Sequence, residues 1–238
     1  MRIGVMGGTF DPIHLGHLRA AEEIYLAFGL DRIIFVPAAR PPHKDAGDVA
    51  APIHRYEMVS LATVFTPDFT VSPIELNRPG PSYSVDTVRA LLRLYGRETH
   101  LYFIMGVDAF LELSAWKEAR ELLRLTHRPG WRLDEVGRAL TPAQRAARGG
   151  PTFKYLRISE VGPELARTPP VPGLVLLVEV VSLDISSREI RQLVEEGRSV
   201  RFLVPDTVAA YMQKNRLYQK RPTPPGGGGP KEGDPHRG

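Results

Sequence analysis

At 238 residues, 42% hydrophobic and 24% charged, the chain has material for one α/β domain with a sizeable core and none for a second large domain. It contains no cysteine, which excludes disulfides, thiolate chemistry and CxxC metal sites. The formal net charge of +4, from 31 Lys and Arg against 27 Asp and Glu, suits anionic ligands, and phosphorylated small molecules satisfy it as well as nucleic acid does. The sequence opens on an apolar strand without a basic leader and holds no run of about 18 apolar residues, so a cytoplasmic location and no membrane association are expected.

Residues 2–6 read as a buried strand and run into Gly7-Gly8-Thr9-Phe10-Asp11-Pro12-Ile13-His14-Leu15-Gly16-His17. The paired glycines let backbone approach a ligand, and His14 and His17, three positions apart, share one face of a first helical turn. Backbone N–H groups at a helix start lack intrahelical partners and the helix dipole favours negative charge there, so the arrangement suits a nucleotide phosphate. Two plainer readings stay open on chemistry alone: an ordinary Gly-Gly turn with two satisfied polar side chains, or a metal pair. Zinc is the weaker of these, because there is no HExxH and no third ligand nearby. The glycine spacing is not that of the GxGxxG dinucleotide fingerprint.

Residues 15–28 carry Leu15, Leu18, Ala21, Ile24, Tyr25 and Phe28 at helical spacing, with Gly29 as a stop, and 32–36 form a second buried strand. Strand, helix and strand imply a parallel pair with a right-handed crossover. The proline-stiffened loop 37–44 then presents His43 and Lys44 at the carboxyl end of the second strand, as either a ligand loop or a solvated connection. A helix over 51–65 is expected to bury Ile53, Met58, Leu61, Ala62 and Phe65 and to turn Arg55 and Glu57 outward. A strand over 69–76 precedes a turn at 78–87, which opens a helix to about residue 95 with Ser82 or Ser84 as its cap. Another buried strand, 101–105, ends at Gly106 and Asp108; that carboxylate serves either a ribose or a helix cap. Trp116 is either core or a stacking platform.

A further strand is expected over 122–127, and residues 140–173, around a strand at 153–158, read as a surface insertion. After a strand at 174–178, Ser186 and Ser187 stand at the start of a helix reaching Gly197, either as an ordinary cap or as a second phosphate-binding helix start. A last helix covers about 205–215, and the Pro/Gly-rich stretch 219–238 is expected to be disordered. The order predicts an α/β fold: one Rossmann-like domain over 1–218, with a mostly parallel doubly wound sheet and a small C-terminal helical part. No feature of the sequence specifies an oligomeric state.

The string from Gly7 to His17 resembles the signature of the HxGH nucleotidyltransferase superfamily. Three further strings are similar to its nicotinate mononucleotide adenylyltransferase branch: the loop ending Pro41-Pro42-His43-Lys44, the turn Pro81-Ser82-Tyr83-Ser84-Val85-Asp86-Thr87, and the spacing from Gly106 through Asp108 to Trp116. The resemblance covers most of residues 1–218. It implies adenylyl transfer from ATP to nicotinate mononucleotide, with Mg²⁺ arriving on ATP and no dedicated metal site. Under it, His14, His17 and Lys44 are catalytic. Gly7, Gly8, Thr9, Phe10, Gly106, Asp108, Ser186, Ser187 and Arg191 meet ATP, and His43, Lys44, Tyr83, Ser84, Trp116 and Lys117 meet the acceptor. Ser84 stands where the family has Thr, which a backbone contact survives, and Arg188 replaces the Thr of the family's Ile-Ser-Ser-Thr string. The alternatives are nicotinamide mononucleotide or phosphopantetheine as acceptor, a nucleotide-binding regulator without turnover, or a nucleic-acid binder. The last is suggested by the likeness of His14-Leu15-Gly16-His17 to the class I aminoacyl-tRNA synthetase motif, but no anticodon-binding domain fits this length and no nucleic-acid partner is expected.

Overall fold

The computed structural model describes residues 1–42, 47–96, 98–126, 128–131, 152–157, 174–181 and 183–220. Its centre is the first apolar run, β1 (Arg2–Gly8), which lies between β2 (Arg32–Pro37) and β4 (His100–Ile104), with β3 (Phe69–Val71) outside β2. All three pairings are parallel, and Val5 is in register with both Ile34 and Phe103. These strands are apolar at nearly every position because both faces of the sheet are covered. On one face, Met6, Ile33, Phe35, Tyr102 and Ile104 pack against Ala20, Ala21, Ile24 and Phe28, which belong to α1 (Leu15–Ala27) and its cap. The same cluster takes Met58 and Val59 of α2 (Pro52–Thr63). On the other face, Ile3, Val5, Ile34, Val36, Leu101 and Phe103 pack against Val85, Val88 and Leu91 of α3 (Ser84–Tyr95). Each fully buried aliphatic side chain of this kind contributes roughly 1.5–3 kcal/mol. Gly4 fits where it does because a Cβ there would run into Ile33 Cδ1 and lie 2.9 Å from Leu30 Cδ1. At the end of α1, Gly29 adopts φ +52° and closes a paired cap: its N–H donates to Leu26 O and the N–H of Leu30 to Tyr25 O.

Beyond β4 come α4 (Val107–Leu111), a 3-10 turn (Leu113–Ala115) and α5 (Ala119–Leu125). A second parallel ladder, β5 (Arg128–Trp131), β7 (Leu174–Glu179) and β6 (Thr152–Arg157), runs in that spatial order, with β5 lying against β4. Among the described residues the strands thus form two ladders, of four and three, and every pairing of these strands is parallel, in keeping with the expected mostly parallel α/β fold. The C-terminal helical part is α6 (Ser187–Glu195) and α7 (Asp206–Lys214), whose Ile190, Val208 and Met212 join the α1 and α2 face. Thr207 Oγ1 donates to Leu61 O at 2.9 Å, fastening α7 to α2. Buried Glu23 on α1 pairs with Arg19 and accepts the Val181 N–H at 2.7 Å, so α1 also anchors the segment that leads into α6.

Three expectations need correction. Residues 122–125 lie in α5, not in a strand; Leu122 is buried and Thr126 Oγ1 donates to Leu122 O, and a short apolar run does not by itself separate strand from helix. The strand at 69–76 stops at Val71, and Pro73 lacks the N–H with which a ladder would continue. On α2 the buried stripe is Arg55, Met58 and Val59, while Ile53 and Phe65 are exposed. Arg55 is fully buried because it shares the i, i+3, i+4 face with Met58 and Val59 and finds a carbonyl for each of three nitrogens. His43, Lys44, the tail beyond residue 220 and the expected insertion outside β6 lie outside the described residues.

Candidate active site

The end of β1 makes the loop. Gly7 and Gly8 are its last strand residues, and a Cβ on Gly8 would stand 3.0 Å from the Phe10 ring. Phe10 holds φ +50°, a left-handed conformation that costs a side-chain-bearing residue energy, and the loop recovers it by burying the ring edge-on to His17 at 5.2 Å and against Phe35 at 5.9 Å. The Asp11-Pro12 peptide is cis. His14 is the N-cap of α1 and is buried, and His17 lies one turn on with the two ring centroids 3.7 Å apart. Gly16, between them, is small for a steric reason: a Cβ there would meet His14 Nδ1 at 3.0 Å.

His17 Nδ1 accepts the His14 backbone N–H at 3.3 Å, which assigns the His17 proton to Nε2 and leaves that N–H as a donor. Burial pushes the His14 imidazole down to about 4, and burial followed by the proximity of His14 holds His17 well below the usual histidine range. Both rings are therefore neutral at pH 7. His14 Nδ1 is buried without a hydrogen-bond partner. Two neutral imidazoles at a helix start, one with a free polar atom, can offer N–H donors to a phosphate, and the helix start itself supplies the field that favours an anion.

The first residues of the same loop open onto a cavity of about 440 Å³. Gly7, Gly8 and Thr9 form one side of it, and Gly106 and Asp108, at the end of β4, form another. Tyr83 and Ser84, at the start of α3, and Trp116 and Lys117 close the remainder. Trp116 stands edge-on to Phe103 at 6.5 Å, and its indole Nε1 is buried with no partner. Lys117 Nζ lies 4.6 Å over the Tyr83 ring and 2.9 Å from Asp86 Oδ2, which places an ammonium over an aromatic face at the cavity rim. Neither Ser82 nor Ser84 caps α3. Tyr83 is its N-cap residue, and Ser82 instead exchanges two bonds with the backbone of Arg40, tying the loop after β2 to the start of α3. Asp108 sits in the first turn of α4, exposed, with Gly106 as N-cap.

Phe10, His14, His17, Ser186, Ser187 and Arg191 do not line this cavity. They gather around residues 10–17. Ser186 caps α6 by accepting the Glu189 N–H at 3.1 Å, Ser187 Oγ donates to Pro12 O at 2.8 Å, and Arg191 Nη1 donates to Asp11 O at 2.8 Å. The start of α6 is thus fastened to the loop just ahead of His14.

Residues missed in the sequence complete the frame. Arg55 donates to Thr9 O, Ala39 O and Ala50 O, so a single guanidinium holds the glycine loop, the loop after β2 and the approach to α2. Burial lowers its pKa, against the raising effect of Asp11, Tyr218 and Glu75. Glu75 is buried, borders the cavity and accepts the Thr87 hydroxyl at 2.5 Å. The signal for Arg55 was its helical spacing from Met58 and Val59; Glu75 offered none, since its burial depends on a turn formed at a distance.

A parallel sheet whose first strand delivers a glycine loop and a histidine-paired helix start beside a ligand-sized cavity defines a Rossmann-like α/β protein built to handle a phosphorylated nucleotide. The sequence model of the cytidylyltransferase-like family matches residues 5–193, and the chain belongs to that family. It is 43% identical over 221 residues, 92% of this chain and 95% of the relative, to a probable nicotinate-nucleotide adenylyltransferase of Thermoanaerobacter sp.. It is likewise 43% identical over 224 residues, 92% of this chain and all of the relative, to the protein of that name from Thermus thermophilus. Among solved structures, the Plasmodium falciparum nicotinic acid mononucleotide adenylyltransferase complexed with NaAD aligns with TM-score 0.65 at 17% identity, over 91% of this chain and 97% of that one, a likeness of fold.

Proposed function

We propose that this protein transfers the adenylyl group of ATP to nicotinate mononucleotide, giving nicotinate adenine dinucleotide and pyrophosphate as a step of NAD biosynthesis. The observation that carries this reading is a single glycine loop whose first residues border a cavity holding an unpartnered indole N–H and a lysine over an aromatic ring, and whose far end carries the His14 and His17 helix start. The names of the curated relatives support the choice of acceptor.

The acceptor phosphate is already a nucleophile at neutral pH, so no general base is required. One of its oxygens attacks the α-phosphorus in line. The new O–P bond forms as the bond to the bridging oxygen breaks, and pyrophosphate leaves with that electron pair. His17 Nε2–H and the His14 ring hold the α-phosphate oxygens on which charge accumulates. His43 and Lys44 hold phosphate from the loop after β2. Trp116 stacks on the pyridine ring, while Tyr83, Ser84 and Lys117 receive the carboxylate end. Gly7, Gly8, Thr9, Phe10, Gly106 and Asp108 seat the nucleotide. Ser186, Ser187 and Arg191 serve the pyrophosphate side; Arg191 gives one N–H to Asp11 and retains others.

Mg²⁺ would be held by the phosphates of ATP, where it would neutralise part of their charge. Among the described residues no group of three or more His, Cys, Asp or Glu is placed to hold a metal ion. Among them, too, no helix is long and apolar enough to cross a membrane, and the proposed setting is the cytoplasm.

The test supplies ATP and Mg²⁺ with nicotinate mononucleotide, nicotinamide mononucleotide or phosphopantetheine separately and resolves the products by chromatography. Preferred formation of nicotinate adenine dinucleotide is expected. Equal or greater turnover of another acceptor would reassign the cavity, and no adenylylated product from any of them would overturn the reading.

A further inference from the structure

The C-terminal turn ends in a contact that the chemistry above does not use. After α7 the chain makes two left-handed residues, Arg216 at φ +52° and Tyr218 at φ +62°, both bearing side chains that disfavour this conformation. Between them Leu217 packs on the α1 and α2 core, and its N–H donates to Met212 O at 3.0 Å. The outcome of this costly turn is a single polar contact 207 positions away in sequence: the Tyr218 hydroxyl donates to Asp11 Oδ1 at 2.6 Å. Asp11 is 1% exposed and lies in the loop between Phe10 and His14.

Asp11 is where several segments meet. Its Oδ1 also accepts the Ala50 N–H at 3.1 Å, and its backbone oxygen accepts from Arg191 Nη1, which stands 3.7 Å from Oδ2. The residue therefore joins the phosphate loop, the far end of the loop that carries His43 and Lys44, the helix that follows Ser186, and the C-terminal turn. Burial and the neighbouring Asp11 charge raise the Tyr218 phenol pKa, so it remains a donor at every working pH.

We propose that Tyr218 is a positioning residue for adenylyl transfer, acting through Asp11 to fix the loop from Thr9 to His14 against Arg191. This rests on the adenylyltransferase reading. Tyr218 touches no substrate; it fixes where the histidine pair and the α6 arginine stand relative to one another. Misplacement of a catalytic group by about 1 Å can cost on the order of 100-fold in rate. Because the cavity bordered by Trp116 and Lys117 does not include Tyr218, its loss should fall on turnover and leave acceptor binding alone.

The experiment compares the full chain with Tyr218→Phe, Asp11→Ala and the double variant, measuring kcat, KM for nicotinate mononucleotide and thermal midpoint. Y218F keeps the ring and its packing and removes only the hydroxyl. Its kcat should fall about 10- to 100-fold with acceptor KM within about twofold, and the double variant should be little worse than D11A alone, because both remove one contact. A Y218F enzyme with unchanged kcat, whatever its thermal midpoint, would overturn the proposal. So would losses that simply multiply in the double variant, or a rise in acceptor KM with kcat preserved. Failure of the unsubstituted chain to adenylylate any acceptor would instead strike the adenylyltransferase reading, so the two failures are distinguishable.

Discussion

Replacing Arg55 by Met removes the guanidinium while keeping most of the side-chain volume. Three carbonyls, those of Thr9, Ala39 and Ala50, then lose their donor at distances of 2.8–3.3 Å in a place without solvent. A hydrogen bond from a charged donor contributes about 1.5–3 kcal/mol, and burying the guanidinium offsets part of this, so a net loss on the order of 4 kcal/mol is expected. For a chain of this size each kcal/mol moves the thermal midpoint by about 2–4 °C, which makes R55M less stable by on the order of 10 °C. R55K keeps the charge but presents its donors from one point and cannot span three carbonyls, so it should fall between the two. Differential scanning calorimetry on the three proteins gives the answer. A midpoint for R55M within 2 °C of the parent, a shift this small being about 1 kcal/mol or less, would refute the claim that Arg55 pins the loop.

Two further outcomes follow from the site. The His14 pKa of about 4 lies below the ordinary value of 6.5, so between these the unfolded chain binds more protons. The stability from the neutral buried ring is complete above pH 6.5 and is lost as pH falls toward 4; urea midpoints should drop from pH 7 to pH 5, and less so in H14Q. An equal drop in both proteins would contradict this. Trp116→Ala should raise KM for nicotinate mononucleotide by about tenfold or more through lost stacking while leaving KM for ATP close to its original value, as initial-rate kinetics would show. A parallel rise in both would place Trp116 in the general packing instead.

Much of the fold is legible because its central strands are continuous apolar runs and its first helix shows a clean 3.6-residue period ending at Gly29. The same holds for the part of the site made from contiguous residues: Gly7 to His17 forms a loop and a helix start by local geometry alone, and Tyr83, Ser84, Gly106, Asp108, Trp116 and Lys117, each singled out by a sequence motif, line one cavity. What was not legible depends on partners distant in sequence. Arg55 was expected at the surface because the carbonyls that satisfy it come from three separate loops. Asp11 and Tyr218 are joined across 207 positions, and no local pattern marks either. Ser82 looked like a helix cap, but its hydroxyl is taken by Arg40 from the loop after β2. The strand expected near Leu122 failed for a different reason, since four or five apolar residues pack equally well as a single helical turn or a short strand.

The most direct test of the account is His17→Ala, with turnover and ATP binding measured separately. If His17 Nε2–H stabilises charge on the α-phosphate during transfer, kcat should fall about 10²- to 10³-fold while the Kd for ATP changes little. A variant that binds ATP normally and still turns over at the parent rate would contradict the assignment of the histidine pair to the chemical step.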